Sequence, residues 1–410
     1  MKKILHYGFL ITILLSIVLG CTTPYSYQTN GFEDALVIEA TMTDQYKNHQ
    51  IKLSRTYKLD GKKPTFESKA VVYVTDDLGN KYDFQEKNES YISVNQFQAT
   101  PGRAYQLHIL TKNGRTYVSN EEKLPQQTQI EKVEAKTLTK KGELGVEITV
   151  NSNDPTNKSR YYRYEYDETY KIVAPKAYPK KAVAVFFAPG SNPKGQVVFE
   201  DRTTEVRVCY SDKKSNELIL TNTNQLSEDR VTDFPIKFIS SKDPIIRSRY
   251  SILVKQYVQN LAAHTFYETL KEIADIGSIL SQTQPGFFYG NINPVDNPGE
   301  KVIGFFNVSS YSEKRIFFNF TDLFPKEPIP KYQYYCPSPI PENEINDFYF
   351  EYCFNPNNEI CRGNDILDLL KSGIKTFFPN ESPTSYLLYP VECGDCTSFS
   401  SNIKPSFWID

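Results

Sequence analysis

Short segments in which apolar and polar residues alternate recur through residues 33–125. In one of them, Tyr105, Leu107 and Ile109 alternate with polar neighbours, and a period of two is typical of a strand with one buried face. The pair Asn113-Gly114 follows, and both residues tolerate the positive φ of a tight hairpin turn. Strands separated by turns at intervals of about ten residues predict an immunoglobulin-like or transthyretin-like β-sandwich domain over 33–125.

A second series of alternating segments predicts another β domain over residues 130–320. Its clearest strand places Tyr162, Tyr164 and Tyr166 on one face, with Arg163 and Glu165 on the other. We expect the tyrosine face to pack in the core of this domain. Contact with a binding partner is the alternative for the same face, since aromatic side chains dominate the energetics of interfaces.

One segment has helical periodicity, with apolar side chains every three or four positions over about 261–280. We expect this amphipathic helix to pack against the second sheet, with contact to a membrane surface as the alternative. Residues 321–410 lack such periodicity and predict a Cys-rich loop tail packed on the second domain. The predicted fold is therefore mainly β: two β-sandwich domains, the second of which carries one helix and the tail.

Composition supports the β prediction and narrows the class of protein. The chain contains 29 Tyr, 26 Phe and 25 Pro, residue types that favour strands and the turns between them. A net charge of −2 lacks the positive excess of a nucleic-acid-binding protein. A mean hydropathy of −0.49 excludes a protein that crosses a membrane several times.

The first 20 residues have the pattern of a bacterial lipoprotein signal peptide. A basic start precedes an apolar run at 9–19, which is too short for a transmembrane helix and typical of a signal core. Gly20-Cys21 then resembles the end of a lipobox, in which Cys21 becomes the lipidated N-terminus. An ordinary secretory signal is the alternative. Residues 21–32 predict a short polar tether, and they lack an acidic run that would act as a surface-export signal, so the leaflet and the face of the membrane stay open.

The remaining six cysteines are disulfide candidates, because an even number in an exported chain favours disulfide bonds. They are Cys209, Cys336, Cys353, Cys361, Cys393 and Cys396. The sequence does not select their pairing. The segment Cys393-Gly394-Asp395-Cys396 is also compatible with redox chemistry or a zinc site, although structural bonds are favoured in this Ser- and Gly-containing region.

No catalytic or metal-binding motif is apparent. Beyond the signal peptide the chain has three histidines, His49, His108 and His264, which are too far apart in sequence to form an H-x-x-x-H pair. We find no nucleophile elbow, phosphate-binding loop or dinucleotide fingerprint, so no catalytic residue, metal or cofactor is predicted. Trp408, the single Trp, is expected to anchor the tail rather than stack on a ligand.

Several short motifs, in this order along the chain, resemble one family of lipoproteins. They are Pro101-Gly102-Arg103-Ala104-Tyr105, Asn113-Gly114-Arg115-Thr116-Tyr117, Cys209-Tyr210, Leu226-Ser227-Glu228-Asp229-Arg230-Val231, Phe234-Pro235-Ile236, Val254-Lys255-Gln256-Tyr257, Gly290-Asn291-Ile292, Gly304-Phe305-Phe306, Cys393-Gly394-Asp395-Cys396 and Lys404-Pro405-Ser406-Phe407-Trp408. The chain resembles the Bacteroidota lipoproteins grouped as domain of unknown function four-two-four-nine.

This resemblance implies a lipid-anchored outer-membrane protein, often linked to a TonB-dependent receptor, and implies no catalytic residues. We therefore expect a non-enzymatic accessory or binding partner of a TonB-dependent transport system, with a β-barrel receptor as its partner and no nucleic acid. A surface adhesin or glycan-binding module and a hydrolase with dispersed carboxylates are the alternatives.

Overall fold

The computed structural model describes residues 35–56, 64–189, 191, 195–276, 290–336, 366–379 and 386–410. The predicted signal peptide, the tether, Cys21, Cys353 and Cys361 lie outside these ranges. Within them the chain forms 22 strands and few helices, which confirms the mainly β class predicted from the alternating pattern.

The first nine strands are two to eight residues long. They are β1 Leu36–Thr43, β2 Gln50–Arg55, β3 Thr65–Phe66, β4 Val71–Asp76, β5 Lys81–Glu86, β6 Tyr91–Ser93, β7 Ala104–Leu110, β8 Thr116–Ser119 and β9 Glu122–Lys123.

Several of the later strands are longer, and the described helices lie among them. The strands are β10 Ile130–Lys140, β11 Glu143–Asp154, β12 Tyr161–Val173, β13 Lys180–Phe186, β14 Gly195–Asp201, β15 Val208–Lys214, β16 Ile219–Asn222, β17 Asp229–Ser240, β18 Arg249–Gln259, β19 Ile292–Pro294, β20 Val302–Asn319, β21 Lys375–Pro379 and β22 Tyr386–Pro390. The helices are α1 Leu261–Ile276, α2 Phe320–Leu323, α3 Ile366–Ser372 and α4 Val391–Gly394, with 3-10 turns at Pro244–Ile246 and Cys396–Ser398.

The first unit is a curled sheet with the strand order β20-β1-β2-β6-β5-β4-β7-β8-β19, whose inward side chains share one apolar core. Asn291, just before β19, bridges the two ends of this sheet. Its Oδ1 accepts from the Phe306 amide at 2.8 Å, and its Nδ2 donates to the Phe306 carbonyl at 2.9 Å. The sheet therefore nearly closes on itself, which hides the backbone groups at its ends.

Strand β20 joins the two units, and this differs from the predicted domain boundaries. Its first half pairs in parallel with β1, and its second half pairs with β18. Residues 290–309 therefore belong to the first core, although the pattern placed them in a second domain over 130–320. Two strands were predicted at 302–308 and 315–320, and one continuous strand of 18 residues is observed.

A glycine permits the close approach of β20 to β1. Gly304 adopts φ of +151°, and a Cβ at this position would lie 2.3 Å from the Ile38 carbonyl oxygen. Any other residue would clash with the neighbouring backbone, so glycine is required where the joining strand enters the first sheet.

The second unit is built from two sheets that share one core. The sheet β15-β12-β18-β20 contributes one side and the three-stranded sheet β10-β11-β17 contributes the other. Tyr162 and Tyr164 are fully buried between the sheets, and Tyr166 is nearly so. The tyrosine face therefore packs in the core, as the alternation predicts, and its use as a partner-binding surface is excluded.

Helix α1 begins directly after β18 and lies within the range predicted for it, 261–280. Ala263 and Phe266 are buried in a small apolar cluster with Phe305 of β20, and the two phenylalanine ring centroids are 5.5 Å apart. The apolar side of α1 thus packs on protein, as expected, rather than facing a membrane.

Two disulfides fasten the C-terminal part of the chain. Cys209 bonds to Cys396, and Cys336 bonds to Cys393. Because the two cysteines of the C-x-x-C segment bond to different partners, this segment holds no internal redox disulfide and offers no thiolates to zinc. Trp408 packs edge-to-face on Tyr210 and Phe317, so it anchors the tail, as predicted.

Candidate functional site: the outer face of the second unit

Strands β12, β18 and β20 are neighbours, and each turns alternate side chains away from the tyrosine core. We call the exposed side of these strands the outer face. The strand registers align its side chains in three rows. The rows are Arg163 with Tyr257 and Tyr311, Glu165 with Lys255 and Glu313, and Asp167 with Leu253 and Arg315.

The first row is built around a buried guanidinium. Arg163 is only 6% exposed, and it lies 4.3 Å from the ring centroid of Tyr257 and 5.0 Å from that of Tyr267 on α1. Its Nη1 also pairs with Glu165. Burial by itself would lower the pKa of Arg163, but Tyr267, Glu165 and Tyr257 raise it, so a fixed positive charge holds Glu165 in place.

The central rows combine ion pairs with tyrosine hydroxyls. Lys255 Nζ lies 2.5 Å from Asp167 Oδ2. Tyr257 donates its hydroxyl to Glu165 Oε2 at 3.1 Å, and Tyr311 donates its hydroxyl to Glu313. Burial raises the pKa of both tyrosines, and the neighbouring carboxylates raise it further. Both hydroxyls therefore remain protonated donors, and each charge is held by a neighbour.

The loop after β1 adds side chains of the first unit to this surface. Asp44 Oδ1 accepts from the Tyr311 amide at 2.8 Å, and the ammonium of Lys47 lies 5.4 Å from the centroid of the Tyr311 ring. Burial lowers the pKa of Lys47, and the charge of Lys255 lowers it further. The outer face thus spans the junction of the two units.

Both ends of the outer face are covered by other elements. At one end α1 covers Arg163 with Tyr267. At the other end the tail brings Phe407 onto Arg315, whose guanidinium carbon is 3.6 Å from the ring centroid. Between these two walls lies a floor of paired charges and hydroxyls. Such a floor can recognise a partner that presents complementary charges and hydrogen-bonding groups.

The residues singled out from the sequence lie elsewhere. Cys21, Cys353 and Cys361 are outside the described ranges, and the four bonded cysteines secure the tail. His49 is buried in the first unit, where burial lowers its pKa to about 4; His108 is half-buried there, and His264 is buried on α1. Across the described ranges, no three His, Cys, Asp or Glu side chains are grouped as metal ligands, and no helix is long and apolar enough to cross a bilayer.

The sequence pattern predicts only part of the outer face. It placed Arg163 and Glu165 opposite the tyrosines, which is the correct face. It missed the contributions of β18 and β20, because the row partners lie about 90 to 150 residues away along the chain. The alternation within residues 310–315 was the available signal for the middle of β20. Because these residues are mostly polar, the predicted strands stopped on either side of them.

A family model described as Domain of unknown function (DUF4249) matches residues 22–315. The chain belongs to this family. The DUF4249 match includes the first unit, most of the second and the three rows of the outer face, and it ends within β20, before the tail with its C-x-x-C segment.

The DUF4249 chain also has weak similarity to two solved structures. Trypsin-activated alpha-2-macroglobulin from Escherichia coli is 8% identical over 57% of this chain and 15% of that chain, with a TM-score of 0.15. The BSP domain of a biofilm-associated protein is 7% identical over 71% of this chain and 62% of that one, with a TM-score of 0.12. Scores this low carry no argument about fold or function. A search of curated proteins gives no match.

Proposed function

We propose that this DUF4249 protein is a lipid-anchored, non-enzymatic binding protein of the outer membrane, whose outer face docks onto the β-barrel receptor of a TonB-dependent transport system. The proposal rests on the structure of the outer face. It is a floor of ordered charges and tyrosines, open between α1 and the tail.

Preorganisation favours binding at this surface. Tyr257 and Arg163 are held by neighbours on adjacent strands, and Tyr311 is held by Glu313 on its own strand, so little side-chain entropy remains to be lost when a partner docks. Tyrosine and arginine are also the residue types most enriched among the side chains that dominate interface energies.

The arrangement of charges favours a protein partner over an anionic lipid surface. Glu165, Lys255 and Glu313 alternate in sign along one row, and in the next row the opposite charges of Asp167 and Arg315 flank Leu253. A lipid surface would attract a uniformly basic patch. A mixed pattern instead selects a partner whose charges match position by position.

The anchor and the receptor are inferred from the sequence. The lipobox-like segment ending at Cys21 would attach acyl chains, and attachment by at least two chains is stable. Confinement to one membrane raises the effective concentration of a receptor, so that even a modest interface stays occupied. The family resemblance is the basis for naming a TonB-dependent receptor as that partner.

The docking proposal is tested by affinity purification of the tagged protein from mildly solubilised membranes. Glu313 and Lys314 form a matched pair, because they are adjacent, exposed and on opposite faces of β20. Glu313→Lys should reduce recovery of a β-barrel receptor at least about tenfold, since like charges in an interface are costly, whereas Lys314→Glu should leave recovery unchanged. Equal recovery with both variants, or no receptor with the wild type, would contradict the proposal.

The anchor is tested separately with Cys21→Ser. This variant should leave the membrane fraction or keep its signal peptide uncleaved. If it remains membrane-bound and processed like the wild type, the proposed lipid attachment is wrong.

A further inference from the structure

A second potential site lies beside the tail, where the strands of the outer face end. It is an open depression of about 370 Å³ lined by three cationic side chains, Lys171, Arg247 and Arg249. Ser248, Asn319 and Thr321 add neutral hydrogen-bonding groups to its wall. The volume falls within the range of about 300–1,000 Å³ that is typical of small-molecule sites.

The fold brings the three cations together from different elements. Lys171 is near the end of β12, and Arg249 is the first residue of β18, where it pairs in register with Asn319. Arg247 follows the 3-10 turn at Pro244–Ile246. The positions are therefore set by backbone structure rather than by flexible loops.

Both arginine side chains are oriented by neutral partners. Arg249 Nη1 donates to Asn319 Oδ1 at 3.1 Å, its Nε donates to the Ile409 carbonyl at 2.5 Å, and its guanidinium lies over the Phe317 ring. Arg247 donates to the Pro330 carbonyl. Among the residues that the structure describes, neither guanidinium forms an ion pair with a carboxylate, so each keeps its full charge.

Asp410 is the one acidic side chain among the residues described as lining the depression. Its carboxylate is 3.4 Å from Lys171 Nζ, and it is also 2.5 Å from Lys404 Nζ outside the depression. The Asp410 side chain is therefore shared between two lysines, and neither arginine of the depression has an acidic partner among the described residues. Since like charges in one depression repel, an additional anion is favourable there.

We propose that this depression binds an anionic small molecule through its phosphate or carboxylate group, and that Asp410 competes for the same cations. Arginine guanidinium groups suit this role because their planar donors match the oxygen pairs of phosphates and carboxylates. The site is separate from the proposed receptor contact at Glu313, and it needs no receptor in order to bind.

The proposal is tested by calorimetric titration of the purified, detergent-solubilised lipoprotein at low salt, with inorganic pyrophosphate in one arm and citrate in the other. The wild type should give saturable binding to at least one probe. Tighter binding of pyrophosphate assigns the site to phosphates, and tighter binding of citrate assigns it to carboxylates. The absence of saturable binding to either probe would overturn the proposal.

Variants locate the binding in the depression. Combining Arg247→Gln with Arg249→Gln should weaken binding at least about tenfold, because two charge-assisted contacts are lost. Lys171→Gln leaves both arginines in place and should weaken it about threefold or more, which keeps the test valid if the double variant does not fold. Asp410→Asn should strengthen binding, because the internal competitor is removed.

Arg230→Gln is the matched control, since Arg230 lies on β17 and pairs with exposed acids at its own surface. It should bind the probe like the wild type. Wild-type affinity in both the Lys171 variant and the folded double variant, or an equal loss in the Arg230 control, would overturn the assignment.

Discussion

The inner and outer faces of β12, β18 and β20 are formed by alternate residues of the same three strands. On the inner face, Tyr164 and Ile252 are fully buried against the opposing sheet. On the outer face, Glu165 and Lys255 remain partly exposed and are held by ion pairs and hydroxyls. The difference separates the two faces: the inner face stabilises the fold, and the outer face is the proposed contact with a partner.

The inner face also contains a buried carboxylate. Glu168 is fully buried, and its Oε2 lies 2.6 Å from Lys237 Nζ and accepts the Tyr250 hydroxyl at 2.6 Å. A carboxylate is tolerated in this core because a cation and a hydroxyl both contact its Oε2. On the outer face such pairing arranges the charges, whereas in the core it offsets the cost of burying the carboxylate.

The largest expected effect comes from truncating the inner face. Tyr164→Ala should lower the free energy of unfolding by about 3–5 kcal/mol, because it leaves a cavity and removes the hydroxyl contact to Gln256. Tyr311→Ala on the outer face should cost about 1 kcal/mol, since Tyr311 is half-buried and its loss leaves little cavity. Urea denaturation of both variants measures the difference, and equal losses would contradict the division of roles.

The buried pair gives the next largest effect. Glu168→Gln should cost about 3 kcal/mol in unfolding free energy, because Lys237 then keeps a largely buried charge without its counter-ion. The double variant Glu168→Leu with Lys237→Met should recover most of this loss, since no unpaired charge remains. If the double variant is as unstable as the single one, the pairing is not what makes the charge tolerable.

His49 in the first unit is another buried ionisable group, and its side chain is 2% exposed. Its pKa is lowered by burial from 6.5 to about 4, so the unfolded chain binds more protons between these values. The lowered pKa of His49 makes its full contribution to the stability of the folded state above pH 6.5, and this contribution falls as the pH drops toward 4. We expect a loss of about 2 kcal/mol in unfolding free energy at about pH 5 relative to about pH 7.5.

His49→Gln is the control for this pH dependence. It should shift stability by a constant amount and remove most of the slope between the two pH values. An unchanged slope would assign the pH dependence to other groups, such as His108 and His264, whose pKa values burial also lowers.

The smallest effect is expected at the exposed charges of β20. Glu313→Gln and Lys314→Gln should each change the free energy of unfolding by less than about 0.5 kcal/mol, because exposed ion pairs and hydrogen bonds contribute little. Thermal and urea unfolding measure this directly. A loss above about 1 kcal/mol at Glu313 would indicate that the outer face is structural.

The same alternation explains how much of the fold was predictable. Period-two patterning located β7 and β12, and it assigned the tyrosines to the core, because burial on one face leaves a local trace in the sequence. It did not reveal that β20 is continuous, because its polar middle pairs with β18 and the pairing partner is not visible locally. Nor did it reveal the parallel pairing of β20 with β1, which joins residues more than about 250 positions apart.

Of the strands that form the candidate site, the sequence pattern predicted the polar face of β12 alone. The sequence places Arg163 and Glu165 on a polar face, but their function depends on Tyr257 and Tyr311 from two other strands. Tyr267 reaches the same face from α1. Sites assembled from distant segments depend on register, and register follows from the whole fold rather than from any local motif.

The central claim is that the outer face contacts a receptor in the membrane. Site-specific photo-crosslinking in intact cells tests it most directly, with a photoreactive phenylalanine analogue at position 313 and, separately, at position 314. The account predicts a high-mass adduct containing a β-barrel receptor from position 313 and none from position 314, because adjacent strand residues face opposite sides. Adducts of equal yield from both positions, or a receptor adduct from position 314 alone, would contradict the account.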